Sequence, residues 1–211
     1  MRTPEQVSEM ISRLEKEYPL AECTLDWRDI ISETCSGVLM GQCTDARVNM
    51  ITPALFARFP TLEAFAGAQV EEVEEYVRSC GFYHTKASDI VACAQALLIR
   101  HGGKVPGTME ELLALPGVGR KTANLILGDV FNAPGAVVVD THCIRLSNRM
   151  GLVDGLKEPA KIERALREIL PADKSSDFCH RLVLHGRAVC GARRPQCERC
   201  CVAHVCQTIT G

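Results

Sequence analysis

Four cysteines near the C-terminus, Cys190-x6-Cys197-x2-Cys200-x5-Cys206, constrain this chain more than any other feature. Thiolates held by such short loops can converge on one soft metal centre. A zinc ribbon usually carries two Cys-x2-Cys knuckles, and only one is present here. The uneven, compact spacing suits the corners of a 4Fe–4S cube better than a zinc tetrahedron. A zinc knuckle, or incidental cysteines in a cysteine-rich chain, are the competing readings.

The chain has 211 residues and 12 cysteines. That length holds one large domain or two small ones, and 46% hydrophobic residues suit a globular core. No stretch has the length of a membrane span, and residues 1–20 lack an apolar run fit for export. A reducing cytoplasm is therefore expected, with cysteines free or metal-bound rather than in disulfides. The scattered ones, Cys43, Cys80, Cys143 and Cys179 among them, read mainly as small core residues.

Net charge is −2, which argues against nucleic acid until it is divided along the chain. Residues 1–140 hold 12 basic and 19 acidic side chains, whereas 141–211 hold 12 and 7. Arg145, Arg149, Arg181, Arg187, Arg193, Arg194 and Arg199 fall in the basic part, as one cationic face against phosphates requires. Proteins that bind no nucleic acid show such splits too, so the charge alone decides little.

The pattern predicts an all-α fold. Thr3-Pro4-Glu5-Gln6 is a capping box with proline at the first helical position, opening a helix to about Tyr18. Further helices are expected near 27–40, 45–58, 62–66, 70–80, 84–101, 109–115, 120–131, 141–150, 159–169 and 175–189, with Gly and Pro between them. Thr108-Met109-Glu110-Glu111 is a second capping box. The run Ala136–Val139 is too short to build a sheet and reads as a buried extended connector.

Leu115-Pro116-Gly117-Val118-Gly119-Arg120-Lys121-Thr122-Ala123 joins two of these helices. Its glycines let the backbone turn tightly and approach a ligand closely. The helix that follows starts with outward N–H groups, an anion site. This is a helix-hairpin-helix, which grips a DNA phosphate through backbone amides and so needs little net positive charge. Lys121 lies in the first turn, where the helix dipole disfavours an ammonium. Two readings stand for it: a neutral amine nucleophile able to form a Schiff base, or a phosphate contact. Asp140 precedes a new helix and reads as its N-cap, with a second carboxylate oxygen available for chemistry.

Together these residues resemble the endonuclease III family of helix-hairpin-helix DNA glycosylases with an iron–sulfur cluster. The resemblance spans nearly the whole chain. It rests on Gln42-Cys43-Thr44-Asp45, Gly81-Phe82-Tyr83 with Lys86-Ala87, the 115–124 hairpin, Val139-Asp140-Thr141-His142, Leu184-His185-Gly186-Arg187 and the four cysteines. It implies a six-helix barrel domain over 24–134, with 1–23 and 135–211 forming the cluster domain and an active-site cleft between them. It implies Lys121 as nucleophile, Asp140 as catalytic carboxylate, and a 4Fe–4S cluster on Cys190, Cys197, Cys200 and Cys206. Cys201 is the alternative to Cys200, and the family spacing favours Cys200.

The same resemblance implies that Gln42 bonds the orphaned base and that Phe82 takes the place of a leucine wedge. Gly117, Val118, Gly119 and Arg120 would grip DNA, with Arg193 and Arg194 near its backbone. The implied partner is duplex DNA carrying oxidised pyrimidines or abasic sites, met by a monomer without membrane association. Adenine-removing relatives replace the lysine and carry a glutamate where Gly37 stands here. A non-catalytic DNA-binding iron–sulfur protein would need neither Lys121 nor Asp140, and a monofunctional glycosylase would not cut the strand. Met40, Gly41, Phe82 and His84 depart from the family pattern on the expected DNA-opening face, which leaves the lesion range open.

Overall fold

The computed structural model describes residues 2–21, 23, 37 and 43–210, and they divide into two compact units, residues 24–131 and residues 1–23 with 132–211. Of the expected helix at 27–40, the described residues include only Gly37, which is helical, and Met40, Gly41 and Gln42 lie outside them. Among those described, the secondary structure is helical, and the one β-type pairing is an isolated bridge between Cys190 and Pro195. No helix among them is long and apolar enough to cross a membrane.

The unit 24–131 contains α2 (Asp45–Arg58), α3 (Leu62–Ala66), α4 (Val70–Val77), α5 (Tyr83–His101), α6 (Met109–Leu113) and α7 (Arg120–Asp129). Threonine hydroxyls open three of them: Thr44 accepts from Arg47 N, Thr61 from Ala64 N and Thr108 from Glu111 N. In the second expected capping box the return bond runs differently, since Glu111 Oε2 accepts from the Thr108 hydroxyl at 2.6 Å. Helix α5 forms the spine. It buries Ala87, Ile90, Val91, Ala94 and Leu97 against α3 and α4, the i, i+3, i+4 stripe of an amphipathic helix. Phe59 and Phe65, with ring centroids 5.1 Å apart, close the core at the end of α2. Helix α4 stops at Val77, short of the expected Cys80, because the chain turns there and enters α5 through a left-handed residue.

The other unit contains α1 (Pro4–Glu17), α8 (Thr141–Met150), α9 (Pro159–Ile169), α10 (Ser175–Ala188) and the short α11 (Gln207–Thr210). The Thr3 capping box forms in both directions: Gln6 N donates to Thr3 Oγ1 at 3.4 Å and Thr3 N to Gln6 Oε1 at 3.1 Å. Val7, Met10, Ile11 and Leu14 form the buried face of α1, which packs on α10 as α10 packs on α8. Ala136–Val139 is a buried connector without strand pairing, leading straight into α8. Single-turn 3-10 helices at Cys197–Arg199 and Ala203–Val205 shape the cysteine loop.

Candidate functional site

In the unit 24–131, α6 and α7 form the hairpin. Leu112, Leu115 and Val118 are buried, so the turn is pinned from inside while Gly117, Gly119 and Arg120 are exposed. Gly117 has φ +71°, a left-handed conformation that disfavours any side chain. Gly119 is the N-cap of α7 with no side-chain cap bond, and a Cβ there would meet nothing within 4 Å. The first turn of α7 thus leaves open space where an anion's oxygens fit. Lys121 stands in that turn, half-buried.

Thr122 secures the same turn from behind. Its hydroxyl donates to the Gly37 carbonyl at 3.2 Å, and a Cβ on Gly37 would lie 2.5 Å from Thr122 Cγ2. A side chain at position 37 therefore clashes unless the Thr122 side chain gives way, which gives a packing reason for glycine there.

Phe82 is the N-cap of α5 with φ 57° and ψ 37°, and its side chain is 66% exposed. A bulky residue held left-handed and turned to solvent is unusual, and such strain tends to accompany functional placement. Its neighbour His84 stacks against Tyr83 at 3.9 Å between centroids and meets Glu74 Oε1 at 2.7 Å.

In the other unit, Asp140 caps α8. Its Oδ1 accepts from Cys143 N at 2.7 Å, so the cap engages one of its two oxygens. From the same helix, Arg145 donates to the carbonyls of Gly186 at 3.1 Å and Cys190 at 3.1 Å. One turn later, Arg149 donates to the carbonyls of Gly191 and Ala192, each at 2.8 Å. These bonds fasten the helix that begins at Asp140 to the first part of the cysteine loop. Gly186 permits the approach, since a Cβ there would lie 2.5 Å from His142 Nδ1.

Cys190, Cys197, Cys200 and Cys206 line one small cavity together with Arg149, Val189 and Ile209, and Cys201 is not in its wall. His185 is buried behind it: its Nε2 lies 3.3 Å from Cys200 Sγ and its Nδ1 lies 3.1 Å from the Tyr18 hydroxyl. Burial pushes the Cys200 thiol up to about 11, and the nearby Cys201, Cys206 and Cys190 add to the shift. Burial likewise raises Tyr18 to about 12, so it stays a neutral phenol. Among the described residues, no three His, Cys, Asp or Glu side chains are grouped to hold a single metal ion.

The basic residues of the C-terminal part do not form the single cationic face expected from their number. Arg145 and Arg149 satisfy loop carbonyls, and Arg181 is buried, donating to the Tyr18 carbonyl at 3.1 Å and facing Asp177. Arg193 and Arg194 are exposed in the loop between Cys190 and Cys197. Sequence reasoning missed the fastening roles of Arg145, Arg149 and His185, although the Leu-His-Gly-Arg string flagged the segment holding His185 and Gly186. Lys121, the hairpin and Phe82 belong to one unit, and Asp140, the cysteines, Arg193 and Arg194 to the other.

A helix-hairpin-helix closing on a lysine, a capping aspartate after a buried connector and a four-cysteine loop define a class, and comparison with known proteins agrees. Residues 35–172 match the HhH-GPD superfamily of base excision DNA repair proteins. Endonuclease III of Synechocystis sp. is 43% identical over 96% of this chain and 92% of its own length. Endonuclease III of Escherichia coli strain K12 is 36% identical over 94% and 93%. A solved structure of a trapped covalent endonuclease III–DNA intermediate aligns with TM-score 0.93 and 36% identity, covering 100% of this chain and 98% of that one. This chain belongs to the endonuclease III family.

Proposed function

We propose that this protein is a bifunctional DNA glycosylase and abasic-site lyase of base excision repair, acting on oxidised pyrimidines in duplex DNA in the cytoplasm. The observation that carries the reading is Lys121 in the first turn of α7, two residues after Gly119 of the hairpin, whose Gly117 and Gly119 are exposed. An amine held beside a phosphate grip is suited to meet the sugar of the gripped strand. The backbone amides of the hairpin bind a phosphate oxygen and set the strand's register. Phe82 enters the stack as the damaged base swings out, at a cost of a few kcal/mol that is least for lesions that pair poorly. Gln42 bonds the orphaned partner base.

The Lys121 amine attacks C1′ as the bond from C1′ to the base nitrogen breaks, and the base leaves with the bonding electrons and a proton. Asp140 stabilises positive charge developing on the sugar and helps move protons. Ring opening then yields a Schiff base between Nζ and C1′. Loss of a proton from C2′ expels the 3′ phosphate by β-elimination and nicks the strand. Water releases the lysine.

We further assign a 4Fe–4S cluster to Cys190, Cys197, Cys200 and Cys206. Four thiols around one cavity supply the donor set, and ligation by iron would favour the thiolate even at a thiol as buried as Cys200. When bound, the cluster cross-links the loop that carries Arg193 and Arg194, two contacts for the phosphate backbone.

Incubation with duplex DNA containing thymine glycol, followed by borohydride, tests the reading. Reduction should trap a covalent protein–DNA adduct with the wild type. With Lys121→Gln, binding should persist while trapping and strand cleavage vanish. An adduct of undiminished yield from Lys121→Gln would move the nucleophile elsewhere.

A further inference from the structure

Cys43 and Cys80 are 37 residues apart in sequence, yet Cys43 Sγ donates to Cys80 Sγ across 3.5 Å. Both belong to the unit 24–131. Cys43 is half-buried and so partly open to solvent, whereas Cys80 is buried. Their positions single them out from another interacting pair, Cys143 and Cys179, which is buried on both sides. Cys43 directly follows Gln42, and Cys80 stands two residues before Phe82. The pair therefore joins the segments that carry the orphan-base contact and the wedge.

We propose that Cys43 and Cys80 form a reversible regulatory disulfide that slows duplex opening when the protein meets hydrogen peroxide. The regulatory half rests on the roles assigned above to Gln42 and Phe82; the disulfide itself does not. Cys43, the more open thiol, attacks one peroxide oxygen. The O–O bond breaks, giving a sulfenic acid on Cys43 and one water. The Cys80 sulfur then attacks the sulfenic sulfur, the S–O bond breaks, and the hydroxyl leaves as a second water with the Cys80 proton. Two thiols have lost two electrons and two protons, and the peroxide has taken up both.

The division of labour follows from the surroundings. Burial, reinforced by Cys43, pushes the Cys80 thiol up to about 11, so it is a poor first nucleophile but is already in contact with the sulfur it must resolve. Closing the bond brings the sulfurs from 3.5 Å to about 2.05 Å, which draws the two segments together. A displacement on the order of 1 Å in groups that position a reacting substrate costs up to about 10²-fold in rate. The disulfide consumes only the Cys43 and Cys80 thiols, not Lys121 or any of the four cluster cysteines, so a dithiol reductant that reopens it restores the activity.

The test uses the purified, cluster-loaded protein, treated with hydrogen peroxide and then catalase, with visible absorption followed to show the cluster intact. Peptide mapping should find Cys43 joined to Cys80, and dithiothreitol should reverse it. Excision of thymine glycol from duplex should fall by about tenfold or more, while cleavage at an abasic site in single-stranded DNA, which needs no opening, should stay within about twofold. Cys43→Ser should keep the reduced rate and lose the peroxide response, and Cys80→Ala should do the same. Absence of the Cys43–Cys80 link, or equal duplex rates with and without it, overturns the proposal. Duplex and single-strand rates falling together also overturn it, since the loss would then lie in the chemistry. A reduced protein inactive on both substrates would instead overturn the glycosylase reading, while the peptide map still decides whether the disulfide forms.

Discussion

Arg149 Nη1 lies 3.4 Å from Cys190 Sγ, and the same guanidinium donates to the Gly191 and Ala192 carbonyls at 2.8 Å each. Its own carbonyl accepts from Cys206 Sγ at 3.3 Å and from the Thr208 hydroxyl at 2.8 Å. One residue of α8 thus touches the first and last cysteines of the loop. Arg149→Met keeps much of the stem and removes the donors, leaving carbonyls unpaired at a cost of about 1–3 kcal/mol. Thermal melts should show that loss, and a chelator should strip iron faster than from the wild type.

Iron analysis checks the cysteine assignment. The purified protein should be yellow-brown with about four iron atoms per chain. Cys201→Ser should retain them, because Cys201 does not line the cavity. Stoichiometric zinc without absorption near ~400 nm would overturn the cluster assignment.

Phe82→Gly separates a wedge from a structural aromatic. Glycine relieves the left-handed backbone but adds freedom to the unfolded chain, so stability should change by less than about 1 kcal/mol. Binding to lesion duplex should weaken more than binding to single-stranded DNA, measured side by side, because only the duplex must be unstacked. Equal loss on both would assign Phe82 another role.

Arg193 and Arg194 are exposed, and neutralising both should weaken lesion and undamaged duplex by similar factors. The slope of log K against log salt should shrink by up to about 2. An unchanged slope would place both side chains away from DNA.

Asp140→Asn keeps an oxygen for the 2.7 Å cap bond and removes the charge. Base excision should slow by roughly 10² or more with little change in melting temperature. Cleavage at a preformed abasic site should suffer less, since no glycosidic bond remains to break. Equal slowing of both reactions in single-turnover assays would assign Asp140 to a shared step.

Helices were legible where their signals are local. Thr3, Thr44, Thr61, Thr108 and Asp140 each announce a helix start through groups within a few residues, and the ends of α2, α3, α8 and α9 match the pattern for the same reason. The hairpin too is local, because the left-handed backbone of Gly117 at its turn favours glycine there. The sequence by itself therefore determined an all-α chain, the lysine in the first turn of α7 and the aspartate at the start of α8.

What the tertiary structure decided depends on which faces pack. A count of arginines does not separate Arg149, spent on loop carbonyls, from Arg193, open to solvent. Nor does spacing reveal that His185 meets Tyr18 and Cys200, or that Cys43 reaches Cys80. Those pairs form because amphipathic helices bury their apolar stripes and bring side chains from distant positions within bonding distance. A cap is satisfied by its own turn, whereas a pairing across many residues exists only after burial has chosen the neighbours.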